Sequence, residues 1–256
     1  MSALVSELLR SSIKKELVAG RRTDGRGMDE PRPLRIEKGL IKTAEGSARV
    51  WLGDTSVLVG VKAGLGEPYP DTPNSGVLTT SAELNQMASP TFESGPPSPE
   101  SIEIARVVDR GIRESKAVNM SKMCIVPGEK VWVLFIDIHV LDYHGNLFDA
   151  ASYAAMAALT SAILPGAKLG IDDAPLPVDH TPVSVTAVKI GDTIVVDPSL
   201  DEEAIADARL TVTTDENGDI RAMQKGLNGS FKFDEVQKAI ATSQKVGKAL
   251  REIILK

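Results

Sequence analysis

Twice in this chain a Gly-Asp pair interrupts a run of β-branched residues, and both times the run resumes with threonine. The first instance is Gly53-Asp54-Thr55-Ser56-Val57-Leu58-Val59 and the second is Gly191-Asp192-Thr193-Ile194-Val195-Val196. Strand-forming runs split by two turn residues, the first of them glycine, are the signature of a tight β-hairpin. The spacing predicts paired strands over 47–52 and 56–63, and again over 183–190 and 193–197. Gly-Asp turns before valine runs are common, so the echo alone carries little weight. The order of elements adds to it, because each hairpin is followed further on by a helix. The expectation is an α+β protein made of two similar β-sheet/helix halves packed on each other.

The remaining elements fit this plan. Leu4, Leu8, Leu9, Ile13 and Leu17 recur at helical spacing ahead of Gly20, which reads as an amphipathic N-terminal helix with a stop. Residues 21–33 form a polar linker containing Pro31 and Pro33. A strand over 76–84 leads into a Ser/Pro/Gly-rich loop over 85–97. A helix then opens with Ser98 as N-cap, Pro99 at the first position and Glu100 at the positive end of the dipole, and runs to about Val118. Residues 131–141 read as a buried strand broken by Asp137 and His139. Asp149 can cap an Ala-rich helix that reaches Ile163. Pro175, Pro177 and Pro182 mark the best internal boundary. A further hairpin, 209–214 with 219–224, turns at Asn217-Gly218. The last helix opens with Asp234 and Gln237 at capping-box spacing, and its apolar face is Val236, Ile240, Val246, Leu250 and Ile253. The expected organisation is an N-terminal helix and linker over 1–28, a first domain over 29–166 and a second over 180–256.

Aromatic residues are only 4% of the chain, so the core has to be built from Val, Ile, Leu and Ala. The single cysteine, Cys124, excludes an internal disulfide and reads as a small buried hydrophobe beside Ile125 and Val126. No apolar run reaches the ~18–20 residues that span a bilayer, so no membrane association is expected and the cytoplasm is the default. The net charge of −6 argues against unaided wrapping of nucleic acid, which needs a basic surface. Charge is nevertheless uneven, with eleven Lys/Arg against seven Asp/Glu in the first fifty residues. RNA binding therefore requires a local basic patch or a partner.

One such patch is Arg106, Arg110 and Arg113, at i, i+4 and i+7 on one face of the predicted helix. Three guanidinium groups in line can hold successive phosphates of a single strand. The competing reading is a solvated face of intrahelical pairs, Glu103 with Arg106 and Asp109 with Arg113. Arg22, Asp24 and Arg26 can contact RNA or phosphate, or form a structural Arg–Asp clamp, and the clamp is preferred. His139, His144 and His180 lack metal-ligand spacing. Asp137 and His139 share one strand face as a core or interface pair, and Trp51 and Trp132 read as packing residues. No metal and no cofactor are expected.

Three segments together resemble the RNase PH family. They are Arg22-Thr23-Asp24-Gly25-Arg26; Glu45-Gly46-Ser47-Ala48-Arg49-Val50 leading into Gly53-Asp54-Thr55-Ser56-Val57-Leu58; and residues 102–113 followed by Asp142-Tyr143-His144-Gly145-Asn146. The resemblance spans roughly Arg22 to the C-terminus. Ala105-Arg106-Val107-Val108-Asp109-Arg110 and Asn146-Leu147-Phe148-Asp149-Ala150-Ala151 look like the branch that supplies the non-catalytic ring subunit of the archaeal exosome. The resemblance implies the RNase PH fold, of the ribosomal S5 domain 2-like type. It also implies a ring of three heterodimers with a catalytic RNase PH-like sister subunit, RNA-binding cap proteins, and single-stranded RNA degraded from 3′ to 5′.

Phosphorolysis needs a cradle for the attacking phosphate and carboxylates for a metal or a proton transfer. Active members of the family hold phosphate with a Gly-Gly-Ser/Thr-Arg run at a helix start, where free N–H groups bind anions. The corresponding run here is Gly145-Asn146-Leu147-Phe148. Leu147 replaces the hydroxyl, Phe148 replaces the arginine, and Asp149 is expected to place a negative charge where the anion would sit. The family's acidic pair falls on Asp197 and Glu203; the competing reading is that Asp201, Glu202 and Glu203 only charge a short helix start. The segment Asn85-Gln86-Met87-Ala88 lacks the arginine with which active members grip RNA. The resemblance thus implies a non-catalytic subunit that structures its partner's active site. Two other readings stand beside it: a self-sufficient phosphate-dependent 3′-to-5′ exoribonuclease, and an RNA-binding scaffold unrelated to degradation.

Overall fold

A computed structural model describes residues 3–170 and 172–256. Helix α1 (Ala3–Val18) precedes a first sheet built from β1 (Leu34–Lys38), β2 (Gly46–Leu52), β3 (Thr55–Gly66) and β4 (Val77–Leu84). After α2 (Pro99–Glu114) the sheet is completed by β5 (Cys124–Val126) and β6 (Lys130–Asp142). Its order is β1-β2-β3-β6-β4, with β5 pairing to β6 and only β4 parallel to its neighbour. Helix α3 (Leu147–Thr160) follows, then the two-residue strands β7 (Ile163–Leu164) and β8 (Ala174–Pro175) in the proline-rich connection. The second sheet holds β9 (Val183–Ile190) and β10 (Thr193–Val196), then β11 (Ala208–Thr214) and β12 (Ile220–Gly226) beyond α4 (Leu200–Ile205). It is antiparallel in the order β10-β9-β11-β12 and is followed by α5 (Phe233–Leu255).

Both Gly-Asp hairpins form: Leu52 pairs with Thr55 and Ile190 with Thr193, and Gly53 and Gly191 take positive φ. The two halves share a core. Helix α3 is sequestered along almost its whole length and packs on β2 and β3 on one side and β9 on the other. Its alanines permit that close approach. A Cβ on Gly46 would lie 2.4 Å from the Ala158 carbonyl and 2.7 Å from the Ala162 side chain, so only glycine lets β2 touch this helix. Helix α5 covers the opposite face of the second sheet, where Gly247 faces Val183 and Val185.

Several local expectations are corrected. Asn146, not Asp149, is the N-cap of α3: it adopts a left-handed φ of 55° and accepts from the Asp149 N–H. Helix α5 starts one residue before Asp234, with Glu235 accepting from the Lys232 N–H at 2.7 Å, and Ile254 rather than Ile253 is the buried residue of its last turn. Helix α2 ends at Glu114, short of Val118. Strand β6 is unbroken, because Asp137 and His139 point away from the core and meet Ser81 and Glu83 of β4. Strand β1 was not predicted. In α1, Ile13 and Leu17 are buried against Val188, Ile190 and Val195, Leu8 is exposed, and the side chains of Leu4 and Leu9 lie outside the described residues. Cys124 is half-buried. Trp132 is buried, whereas Trp51 sits on the outer face of the first sheet between the guanidinium groups of Arg35 and Arg49, 3.7 and 4.4 Å from its ring centre. No helix among the described residues is long and apolar enough to cross a membrane.

Candidate functional site

The start of α3 is where the two halves of the chain are stitched together. Gly145 takes a φ of +97°, and a Cβ there would come within 2.6 Å of Pro198, Ser199 and Leu200, so the lead-in to α3 lies directly on the loop after β10. That loop delivers Asp197, itself at a left-handed φ of 50°. The buried Asp197 carboxylate accepts from Arg32 (backbone N, 2.7 Å; Nε, 2.9 Å; Nη2, 2.7 Å), from Arg26 Nη1 (3.0 Å) and from Asn146 Nδ2 (2.7 Å). Burial alone would raise its pKa, but the Arg32 guanidinium and these donors hold it below the usual carboxylate range. Arg32 also reaches the His144 and Gly145 carbonyls, at 2.9 and 3.1 Å. Every acceptor position on Asp197 that a substrate or metal would use is therefore committed.

Glu203, from α4, comes to the same helix start from the other side. Its carboxylate accepts from the Asn146 N–H at 2.9 Å and from the Tyr143 hydroxyl at 2.7 Å. Backbone N–H groups at a helix start attract anions, and here the anion is the chain's own carboxylate. Burial raises the Glu203 pKa, against the opposing pull of Tyr143, the Asn146 N–H, Arg209 and Arg32. Tyr143 stacks on Phe92 at 5.3 Å. Phe148 is covered by the Arg209 guanidinium, 3.9 Å above its ring, and Arg209 is ion-paired with Glu103. Glu203, Tyr143, Phe148 and Arg209 line a recess of about 220 Å³ together with Leu147, Leu200 and Leu227.

Asp149 does not stand in the anion position. Its carboxylate turns into the protein and accepts from the Thr186 N–H (2.9 Å), the Thr186 hydroxyl (2.7 Å) and Asn146 Nδ2 (2.8 Å). Burial, aided by Asp197, pushes its pKa up to about 7 in spite of those donors. An unfolded aspartate ionises near 3.9. The folded state therefore holds the proton more tightly, and stability falls as pH rises from about 4 to about 7, by roughly 1.4 kcal/mol per unit crossed. Asp149→Asn, whose amide can donate to the Thr186 hydroxyl, is expected to remove roughly 2–3 kcal/mol of the stability lost between pH 5 and pH 8. Urea titrations across that range measure it, and an unaltered pH profile would contradict the assignment.

The arginine face of α2 lies apart from this cluster, over a shallow groove shared with Thr80 of β4. Arg106, Arg110 and Arg113 are all exposed. Arg106 has no ion pair or hydrogen bond among the described residues, and its sequence-predicted partner Glu103 is taken by Arg209. Arg110 donates to the Gln224 side chain at 3.1 Å. Arg113 is tied to Asp109 at 3.0 Å and to the Leu78 carbonyl at 3.1 Å, a strap between α2 and β4. The motif 22–26 forms the clamp, but its anchors are distant in sequence. Arg22 is buried and donates to Glu202 at 2.9 and 2.5 Å, while Arg26 pairs with Asp24 and Asp197. Glu202 also makes the capping box of α4 with Ser199, so the acidic run charges a helix start as well as supplying Glu203. Among the described residues, no group of three or more His, Cys, Asp or Glu could hold a metal ion.

Sequence reasoning missed Arg32, Tyr143 and Arg209. Arg32 carried one usable signal: it lies between two prolines, which hold its backbone extended and aim it from a fixed position. Tyr143 lay within the 142–146 segment that carries the resemblance but with no role assigned to it, and Arg209 carried no signal.

This architecture, two sheets joined through a buried helix whose start meets two carboxylates from the second half, is the RNase PH fold. The family described as "3′ exoribonuclease family, domain 1" matches residues 30–165 and its "domain 2" matches residues 180–246, so the chain belongs to that family. It is 53% identical to the exosome complex component Rrp42 of Pyrococcus abyssi, over 98% of this chain and 95% of that one. To the Rrp42 of Thermoplasma acidophilum it is 54% identical, over 97% and 96%. A chain of the Archaeoglobus fulgidus exosome, solved with RNA bound to the active site, superposes with a TM-score of 0.94 at 48% identity, covering 97% of this chain and 98% of that one. Rice Rrp46 shares the fold, with a TM-score of 0.72 at 18% identity over 91% and 98%.

Proposed function

We propose that this chain is a ring subunit of an archaeal exosome that performs no phosphorolysis itself. It structures the active site of a catalytic RNase PH-like sister subunit and contributes Arg106 and Arg110 to the path of single-stranded RNA. The two Rrp42 relatives are exosome components, and the Archaeoglobus fulgidus relative is a chain of an exosome solved with RNA bound, which supports the assembly and the ligand. The observation that carries the non-catalytic reading is the carboxylate of Glu203 on the Asn146 N–H. An attacking phosphate would need that donor and would meet a negative charge in its place. Leu147 and Phe148 supply no hydroxyl or guanidinium to compensate, and Asp197 is enclosed by Arg26, Arg32 and Asn146. Both members of the acidic pair thus act as structural acceptors. Three such heterodimers close a hexameric ring under RNA-binding caps, in the cytoplasm. Arg106 is the better placed of the arginines because none of the described residues competes for it, and Arg113 serves chiefly as the strap to β4.

The test is phosphate-dependent release of nucleoside diphosphates from a single-stranded RNA. The samples are this chain, the sister subunit, and the two combined. Release is expected only where the sister subunit is present and is expected to be strongest in the combination. Release by this chain alone would overturn the proposal and return Asp197 and Glu203 to catalysis.

A further inference from the structure

At the C-terminal end of α2, on the far side of Arg113 from the groove that holds Arg106 and Arg110, lies a cavity of about 390 Å³, at the small end of the range for ligand pockets. Leu78, Ile112, Val118 and Met120 line it, and Arg113 borders both cavity and groove. The other ionisable side chains at the cavity are already engaged: Arg113 by Asp109 at 3.0 Å, Asp179 by Asn119 at 2.7 Å and Lys122 at 3.6 Å, and His180 by Glu216 at 2.5 Å. Lys116 is different. It stands at the rim, exposed, with no partner among the described residues.

Its backbone carries a second, independent signal. The helix ends in a Schellman turn, with the Lys116 N–H on the Arg113 carbonyl and the Ala117 N–H on the Ile112 carbonyl, both at 3.0 Å. This turn needs a left-handed residue at the position of Lys116, whose φ is +54°. Glycine is the usual occupant, because a side chain there is strained. Strain of this kind gathers at sites where the side chain has a task. Apolar walls with a cationic rim suit a planar base attached to a phosphate. A strand whose phosphates lie on Arg106 and Arg110 runs towards this opening.

We propose that the cavity is a nucleotide slot, receiving one base of single-stranded RNA while Lys116 holds the adjoining phosphate. The slot rests on the reading of Arg106 and Arg110 as RNA contacts. The experiment is fluorescence anisotropy on the full chain, free and assembled with the sister subunit, using a labelled oligoribonucleotide and a counterpart with abasic positions. The variants are Lys116→Gly and Arg106→Ala. Lys116→Gly relaxes the turn, so its melting temperature is expected to equal or exceed that of the wild type, which removes unfolding as an explanation. It is expected to bind the oligomer roughly three- to tenfold more weakly, with a salt slope lower by about one. The wild type is expected to prefer the base-bearing oligomer several-fold. Weaker binding by Lys116→Gly without that preference would leave a bare phosphate contact and overturn the slot. If only Arg106→Ala weakens binding, the slot fails and the arginine reading stands; if neither variant does, both fail.

Discussion

Arg22→Met is expected to lower the free energy of unfolding by about 3–5 kcal/mol, the cost of stranding one member of a buried ion pair. Arg22 is fully enclosed: its Nε and Nη2 meet both oxygens of Glu202, and Nη1 and Nη2 also donate to the Val196 and Asp197 carbonyls at 2.9 and 3.0 Å. Methionine fills much of the volume but leaves the Glu202 charge buried, with Ser199 as its remaining donor. The double variant Arg22→Met/Glu202→Met is expected to recover a large part of the loss, since replacing both partners removes the stranded charge. Equilibrium urea unfolding is the measurement: the midpoint should fall with the slope unchanged. A loss below about 1 kcal/mol would mean the pair is solvated in the folded protein.

Asp197→Ala is expected to cost a similar amount, about 3–5 kcal/mol, and to change the acid limb of the stability curve. The substitution leaves the Arg32 guanidinium without its carboxylate, removes one of the two acceptors of Asn146 Nδ2, and places alanine at a left-handed φ that aspartate tolerates better. The Asp197 carboxylate is held below its unfolded value, so its contribution is complete above about pH 4 and is lost as pH falls through the lower folded value. The wild type should lose stability steeply there, and Asp197→Ala should lose less over the same range. Asp197→Asn separates the two effects, because asparagine keeps the backbone geometry and removes only the charge. Parallel acid limbs for wild type and Asp197→Ala would show that the Arg32 pair contributes nothing.

Much of this was legible in the sequence, and for physical reasons. The hairpins could be read because a two-residue turn with glycine leaves a local mark at Gly53 and Gly191. The start of α2 could be read because Ser98 accepts from Ser101 and Pro99 suits the first turn. Strand β1 was obscured because its five residues alternate half-buried and exposed beside a linker, and only pairing with β2 defines it. Asp149 was misplaced for a similar reason. An acidic residue near a helix start looks like a cap, and only the left-handed Asn146 three residues earlier explains why its carboxylate turns inward. The resemblance singled out Asp197 and Glu203 in the sequence as an expected acidic pair. Their capture by Arg32, Asn146 and Tyr143 could not, because each of those contacts spans at least fifty residues.

The stitching of Asp197 to the first half also sets an order of events when the protein is made. Arg26 and Arg32 precede their shared partner by 171 and 165 residues. Closing so long a loop is entropically costly and is deferred until other contacts have formed. At ribosomal rates of about 5–20 residues per second, the arginines leave the ribosome about 10–30 s before the carboxylate that neutralises them exists. During that interval the nascent first half carries the Arg32 guanidinium without its carboxylate, and Arg26 with Asp24 alone, next to the RNA-rich surface of the ribosome. The second half has to arrive before that end of the molecule loses its positive charge and becomes a closed seam.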